Sequence, residues 1–531
     1  MSIKFITVAL IATIGSLLWA GAGPVHSQNT ANSTRRRELT PQEKRGKAFY
    51  LRGEDASGQE MMAKVEDLDV PARTLTCAGC HGSHGEGKSE GGVEAGSLTW
   101  SSLIKPHEHF KPDVRKHVAF SDSSFGRALT TGLDPSGNRM AAAMPTYPMS
   151  QEDVSNLIAY LKRIDSDNDP GVTDTSIVLG IVLPEKAALN GIGQPMGEAL
   201  KAYFGEINSL GGIFNRKVEL RFADGDLASL PARARKLIDE DQVFAMVSGV
   251  IAGAEGQIAA LTNENEIPFV GPSTLMPQIG PPLNRYIFYL LPGLKEQGRA
   301  LVTFAGKKAQ ASPRVAIISV DSQLNRDVTS AMEEQMKSLR WTAPTTTFYV
   351  PDKLNVVEFV RDCNQKRIDS VFFVGPRDDA SAILKESQTV GWSATWYTMG
   401  TLLGGVFGED AGKLNKVFYA FPTVPGDVSA AGAAEFRSLT DKYKLSSAHV
   451  AAQISAIAAA KTIVEALQHS GKDLSRDRLI KALEEINQYD TGLTPKLTFG
   501  PNLRIGALGA YVLTMDPEKK TPASVEWVAI Q

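Results

Sequence analysis

Cys77-Ala78-Gly79-Cys80-His81 decides how the first third of this chain is read. Two thiols three positions apart, followed directly by an imidazole, suit three chemistries. A redox dithiol needs a βαβ setting, and no strand–helix–strand pattern flanks these residues. A zinc site needs a second cysteine pair, and the only other cysteine is Cys363. The third chemistry is covalent haem. Cys77 and Cys80 can add to the two vinyl groups of one haem c, and His81 can present its imidazole to the iron.

Working outward, Thr40-Pro41-Gln42-Glu43 forms a capping box with proline at the first helical position, which predicts a helix to about Arg52. A second box, Ser150 to Asp153, precedes Val154, Leu157, Ile158 and Leu161 at helical spacing. Two amphipathic helices thus bracket a loop-rich middle. Met144, directly before Pro145, is the candidate sixth ligand, and a thioether there would raise the reduction potential relative to a second histidine. Met140 and Met149 are fallbacks, and His84, His107, His109 and His117 are rivals.

Residues 39–165 resemble a class I c-type cytochrome. The resemblance rests on Gly46-Lys47-Ala48-Phe49-Tyr50, on Cys77 to Gly82, and on the run from Ala143 to Ile164. It implies a glycine–aromatic crossing of the first and last helices, with Gly46 and Phe49 against Tyr160. One departure is a connection of about 25 residues before Cys77, including Glu60 to Pro71, which reads as an extra surface loop. Residues 38–169 carry 20 acidic and 15 basic side chains, a net charge of −5 that would steer the domain weakly toward a basic partner.

The flanks fix the compartment. Lys4, the apolar run Phe5 to Leu18 and the small residues after it have the layout of a signal peptide over 1–27, with cleavage after Ala22 or Ser27. No later segment reads as long and apolar enough to span a membrane. The expectation is a soluble, periplasmic protein. The basic run Arg35-Arg36-Arg37 reads as a solvated tail. Over all 531 residues, 43% are hydrophobic and 22% charged, with a net charge of −3, so ample core is available and a nucleic-acid footprint is absent. That length suits about three folding units.

Residues 166–173 are acidic and breaker-rich and read as a linker. Beyond them the rhythm changes. Ile177 to Leu183 is a continuous β-branched run suited to a strand buried on both faces. A helix over about 193–208, a strand over 218–222, a helix over 231–241 and strands at 244–247 and 268–270 follow. Further strands fall at 315–319, 370–374 and 416–420. This alternation implies βαβ units and two parallel sheets. Cys363 falls on a helix over about 354–366 and reads as a buried small apolar residue.

Residues 174–531 resemble the type I periplasmic solute-binding proteins of the leucine/isoleucine/valine-binding branch. The matching runs are EINSLGGIFNRKVELRFADGD (206–226), ARARKLIDEDQVFAMVSGV (232–250) and NEIPFVGPST (265–274). The resemblance implies two α/β lobes that close like a hinged clamp, with crossovers near Pro292-Gly293, Thr423 to Pro425 and 488–500. Ligands of open α/β sheets bind beyond the carboxyl ends of the strands. That places Gly249, Gly253, Ser273, Thr274, Asp321, Arg377 and Thr401 at the cleft. Where the resemblance implies an acid and a tyrosine for an ammonium group, the corresponding loops read Gly375-Pro376-Arg377-Asp378 and Met399-Gly400-Thr401-Leu402. A buried ammonium without a carboxylate is costly, so an amino acid is disfavoured. Gly191, Ile192, Met399, Leu402 and Leu403 point to a less polar ligand.

The fold class expected is therefore a multidomain chain: an all-α c-type cytochrome followed by an α/β two-lobe binding protein. The function expected is non-enzymatic electron transfer, with His81 and Met144 as axial ligands of one haem. The clamp would bind a small organic molecule and localise or bias exchange with a periplasmic dehydrogenase or another cytochrome. The alternative is a binding or sensory receptor for a membrane permease, with an accessory cytochrome. An enzyme with an open haem position would bind carbon monoxide when reduced.

Overall fold

The computed structural model describes residues 39–530, except 67, 91–92, 107–115, 168, 186–187, 227, 309–311, 352, 407–415, 473 and 517–521. The expected signal peptide, the Arg35–Arg37 run, His107 and His109 lie outside the described residues.

The first body is built around two crossing helices. Helix Pro41–Arg52 opens on the Thr40–Glu43 capping box and ends at Gly53, whose φ of 72° suits glycine. Helix Gln151–Leu161 opens on the Ser150–Asp153 box. They cross at Gly46, where a Cβ would stand 2.0 Å from the Asn156 carbonyl oxygen. The aromatic partners differ from expectation. Tyr50, one full turn beyond Gly46, meets Tyr160 at 5.7 Å between ring centroids. Phe49 turns toward the downstream loop and stands edge-on to Tyr147 at 5.2 Å.

The segment expected as a surface loop is ordered as an antiparallel hairpin, Met62–Val65 with Leu68–Pro71. Ala63, pointing inward, is fully buried. The largely helical body thus carries this hairpin and a second one, Lys88–Glu90 with Val93–Ala95.

The first lobe has a parallel five-stranded sheet in the order Lys217–Gly225, Ser176–Pro184, Ala245–Val247, Phe269–Val270, Ile287–Phe288. The second lobe has seven strands. Five are parallel: Thr345–Tyr349, Val315–Val320, Ser370–Val374, Thr395–Met399 and Lys416–Phe421. An antiparallel ribbon, Gly509–Met515 with Pro522–Ala529, extends this edge, so the sheet is mixed rather than purely parallel. Cys363 is buried beside Val360 and Ile368, as its apolar helix face requires.

The chain passes between lobes near Leu291–Leu294, after Phe421, and between Ala507 and Ala510, as the two separate cores show. The third crossing lies downstream of the expected 488–500. That stretch forms an internal Tyr489–Leu497 bridge, and Leu493, Leu497 and Phe499 are buried in the first lobe. Helix Val450–His469 has the length and hydropathy of a membrane span, contrary to the expectation that none would. Eleven of its residues are buried, and it packs on helix Gly193–Ser209 as a core helix of the first lobe.

The helical body is fastened to the base of the first lobe. Lys47 pairs with Asp167 at 2.8 Å and Asp169 at 3.6 Å, and the Arg476 backbone N–H donates to Asp169 at 2.6 Å. Arg476 is itself spent on the carbonyls of Val243, Phe244 and Asn265. Arg52 faces Glu266 and Asp477, and Asp477 also holds Arg285. Glu266 and Arg285 precede strands Phe269–Val270 and Ile287–Phe288, so this contact lies at the amino ends of the sheet.

Candidate functional site

Cys77 to His81 form a single helical turn, capped by the Thr76 hydroxyl, which accepts the Gly79 N–H. The turn places both thiols on one short element, with Cys77 buried and Cys80 exposed. Burial pushes the Cys77 thiol up to about 12, so it stays protonated.

The His81 ring is oriented from behind. Its Nδ1 lies 2.6 Å from the Gly96 carbonyl oxygen, which accepts only if Nδ1 carries the proton. Nε2 is then the unprotonated nitrogen, free to accept a metal. Burial lowers the His81 pKa, which the Gly96 bond only partly offsets, so the neutral imidazole is favoured. A backbone carbonyl behind a ligating histidine fixes its tautomer and raises its basicity.

Met144 lies in a segment without regular structure, turned by its N–H to the Ala141 carbonyl. With Leu98, Trp100 and Met149 it is only partly buried against the core of this body. These half-covered apolar side chains pack on the same core that holds Cys77, the kind of apolar cover a flat macrocycle attached there would need. Of the histidine rivals, His117 meets the Val118 carbonyl oxygen through Nδ1 at 2.8 Å, an arrangement like that of His81, and the backbone N–H of His84 donates to Glu86. Tyr50 and Tyr147 brace the turn, their hydroxyls each donating at 2.6 Å, to the Gly82 and Leu75 carbonyls.

The cleft holds a cavity of about 150 Å³, comparable to one that takes benzene. Ser273, Thr274 and Thr401 line it, as the sequence led us to expect, together with Gly271, Pro272 and Leu275. Gln297 and Ser455 also line it and were not anticipated. Gln297 follows the Pro292-Gly293 crossover, which was a usable signal; Ser455 sits inside an alanine-rich helix and carried none. None of the twelve lining residues is charged. Two carboxylates stand outside that lining. Glu255 accepts the Thr274 hydroxyl at 2.5 Å, and Glu296, raised in pKa by burial, accepts the Gly293 N–H at 3.0 Å.

The other expected cleft residues do not line the cavity. Arg377 donates to the carbonyls of Leu403 and Val406, tying down its own lobe's loop. Asp321 pairs with Arg326 at 2.7 Å on the surface. Gly249, with φ 104°, allows close approach to Val182, whose oxygen a Cβ would meet at 2.4 Å. Gly253 has open space about it.

Known proteins match the two parts separately. The periplasmic binding protein family matches residues 176–520, and the cytochrome c family matches 56–165. The fold is similar to a branched chain amino acid ABC transporter protein from Thermus thermophilus with bound valine, at 16% identity and a TM-score of 0.51, covering 68% of this chain and 98% of that one. It is also similar to a fatty acid ABC transporter substrate-binding protein from Thermomonospora curvata, at 16% identity and a TM-score of 0.49, covering 68% and 94%. No curated protein matches the chain.

Proposed function

The chain belongs to the periplasmic binding protein family, and from that premise we propose that it is an exported, non-enzymatic electron-transfer protein whose clamp binds a small uncharged molecule. The observation that carries the redox half is the His81 ring, locked through Nδ1 onto Gly96 one residue beyond Cys80. Cys77 and Cys80 would attach one haem c covalently, with His81 and Met144 as axial ligands. The haem supplies a one-electron Fe(II)/Fe(III) couple, and a methionine ligand sets it higher than a second histidine would. His81 keeps its imidazole neutral and oriented, and the apolar side chains around Trp100 would give the haem apolar cover.

The uncharged lining supports a neutral ligand. Gln297, Thr401, Ser273 and Ser455 offer hydrogen bonds, and the leucines and prolines offer apolar cover. A zwitterionic amino acid would bring two charges into a cavity whose lining offers no charged side chain to meet them.

The docking favours localisation over direct coupling. Strand Ser176–Pro184 spans nine residues, about 26 Å at 3.3 Å per residue. The cytochrome sits at the amino end of that sheet and the cavity at the carboxyl end. Ligand capture would place the haem body beside a periplasmic redox partner without touching its iron. The alternative, a receptor serving a membrane permease, draws on the same clamp.

The test is production in a host that attaches c-type haem. A covalent haem spectrum, a methionine-ligated signature lost in Met144→Ala, and absence of carbon monoxide binding to the reduced parent support the proposal. Ready carbon monoxide binding to the parent overturns the six-coordinate carrier. A thermal-shift screen of neutral solutes in both redox states tests the clamp, and equal solute affinity in the two states supports localisation.

A further inference from the structure

The hairpin Met62–Val65/Leu68–Pro71 makes a contact that neither haem attachment nor solute binding accounts for. Lys64 donates its N–H to the Thr146 carbonyl at 2.7 Å, and Thr146 donates back to the Lys64 carbonyl at 2.9 Å. This reciprocal pair is a one-residue antiparallel bridge, two positions beyond Met144. The hairpin therefore adds a third strand-like neighbour, and that neighbour is the segment carrying the proposed sixth ligand.

The hairpin is itself tied at its base. The Met61 N–H donates to Gly53, at the end of helix Pro41–Arg52, and Ala72 donates to the Met61 carbonyl. From Pro71 the chain runs through a short turn, closed by Leu75 N–H to Ala72, straight into the Cys77 turn. Tyr147 then closes the circuit, since its hydroxyl reaches the Leu75 carbonyl at 2.6 Å. The two segments carrying the proposed axial ligands are thus joined through one small sheet. The other backbone bonds described around Met144 are Met140 to Gly132, Met144 to Ala141, Tyr147 to Leu129 and Met149 to Tyr147.

Resting on the assignment of Met144 as a ligand, we propose that this hairpin is a positioning element that holds Met144 in its ligating conformation and keeps the sixth position closed. A backbone bridge suits that task, because it fixes the loop's register without a side chain that must reach the iron. Without it, the backbone on the C-terminal side of Met144 loses its nearest tie, Met144 can swing, and an exogenous diatomic ligand competes.

The experiment uses the full-length haem-loaded chain. Lys64→Pro and Thr146→Pro each delete one donor of the bridge. Val65→Gly/Leu68→Gly loosens the exposed end of the hairpin without removing a donor and guards against a proline that prevents folding. We expect each variant that folds to retain its covalent haem, to bind carbon monoxide when reduced at least ten-fold more tightly than the parent, and to show a lower reduction potential. Parent-like carbon monoxide silence and an unchanged potential in the loaded variants overturn the proposal. Met144→Ala separates the two levels: if it too leaves both readouts unchanged, the ligand assignment itself fails. If Met144→Ala opens the iron and the hairpin variants do not, only the positioning role fails.

Discussion

The Lys47 ammonium lies 2.8 Å from an Asp167 carboxylate whose side chain is 1% exposed. Lys47 belongs to the first helix of the haem body, and Asp167 belongs to the stretch that the sequence marks as a linker. Asp169, two residues on, takes both Lys47 and the Arg476 backbone N–H. The linker is therefore a clasp, fastened on one side to the cytochrome and on the other to the first lobe. Closure of the clamp can move the second lobe while the haem body rides with the first.

Breaking that clasp from one side leaves buried carboxylates without their cation. Removing one partner of a buried pair costs about 3–5 kcal/mol, whereas neutralising both is close to neutral. Lys47→Met is expected to lower stability by about 3 kcal/mol in chemical denaturation. Adding Asp167→Asn to it should recover part of that loss.

The same clasp sets a pH window. Burial alone would lower the Lys47 pKa, but Asp169 and Asp167 overcome it and raise it to about 12. Its contribution is complete below the ordinary lysine value near 10.5 and lost as pH rises through about 12. Asp169 moves the other way. Burial would raise it, and Lys47 with Arg476 hold it below the ordinary carboxylate value. Its contribution is present above the unfolded value near 3.8 and lost as pH falls. The clasp's share of the melting temperature, read as parent minus Lys47→Met against pH, should be constant between about 4 and 10 and fall on both sides.

Asp477 is shared by two guanidinium groups, Arg285 at 2.9 Å and Arg52 at 3.7 Å. Asp477→Asn leaves two like charges facing each other across the docking surface. The expected result is looser docking, read as a larger radius of gyration in small-angle scattering and faster protease cleavage between 166 and 173, with an unchanged haem spectrum.

The helix crossing offers a sharper steric test. A methyl group at position 46 would stand 2.0 Å from the Asn156 oxygen and 2.8 Å from the Tyr160 Cβ. Backbone cannot yield as a flexible side chain does, so Gly46→Ala forces the helices apart at the cost of overpacking, about 3 kcal/mol. Lower yield of haem-loaded protein and a reduced melting temperature are the expected readouts, with the solute-binding lobes unaffected.

Much of this was legible in the residues, and the exceptions have physical reasons. Capping boxes at Thr40 and Ser150 are local signals, and both helices start where those boxes place them. The strand Ile177 to Leu183 was visible because burial on both faces demands an unbroken apolar run. Strand Thr345–Tyr349 was invisible for the converse reason: it lies at a sheet edge, half-exposed, and its three threonines read as loop. The hairpin at 62–71 was hidden because Ala63 is the one fully buried side chain of its two strands, so the alternating apolar pattern of a strand is missing. Arg377 was misplaced because a guanidinium that caps carbonyls looks, in sequence, the same as one that awaits an anion.

The clamp yields the last prediction. Gln297 and Thr401 reach the cavity from the second lobe, and the Thr401 hydroxyl lies 3.4 Å from the Gln297 carboxamide oxygen. Ser273 and Ser455 face them from the first lobe. A solute held between them gains hydrogen bonds only when the lobes close, so these groups should control affinity and closure together. Removing one uncharged hydrogen-bond partner costs about 0.5–1.5 kcal/mol, a few-fold to about ten-fold in affinity. Gln297→Leu should weaken binding of a neutral solute by that factor, measured by calorimetry, and leave the haem spectrum and potential alone. Arg377→Ala, by contrast, should lower the melting temperature of the second lobe by freeing the Leu403 and Val406 carbonyls, with solute affinity within about two-fold of the parent. A loss of affinity in Arg377→Ala larger than that in Gln297→Leu would restore the arginine to the binding site and point to an anionic ligand.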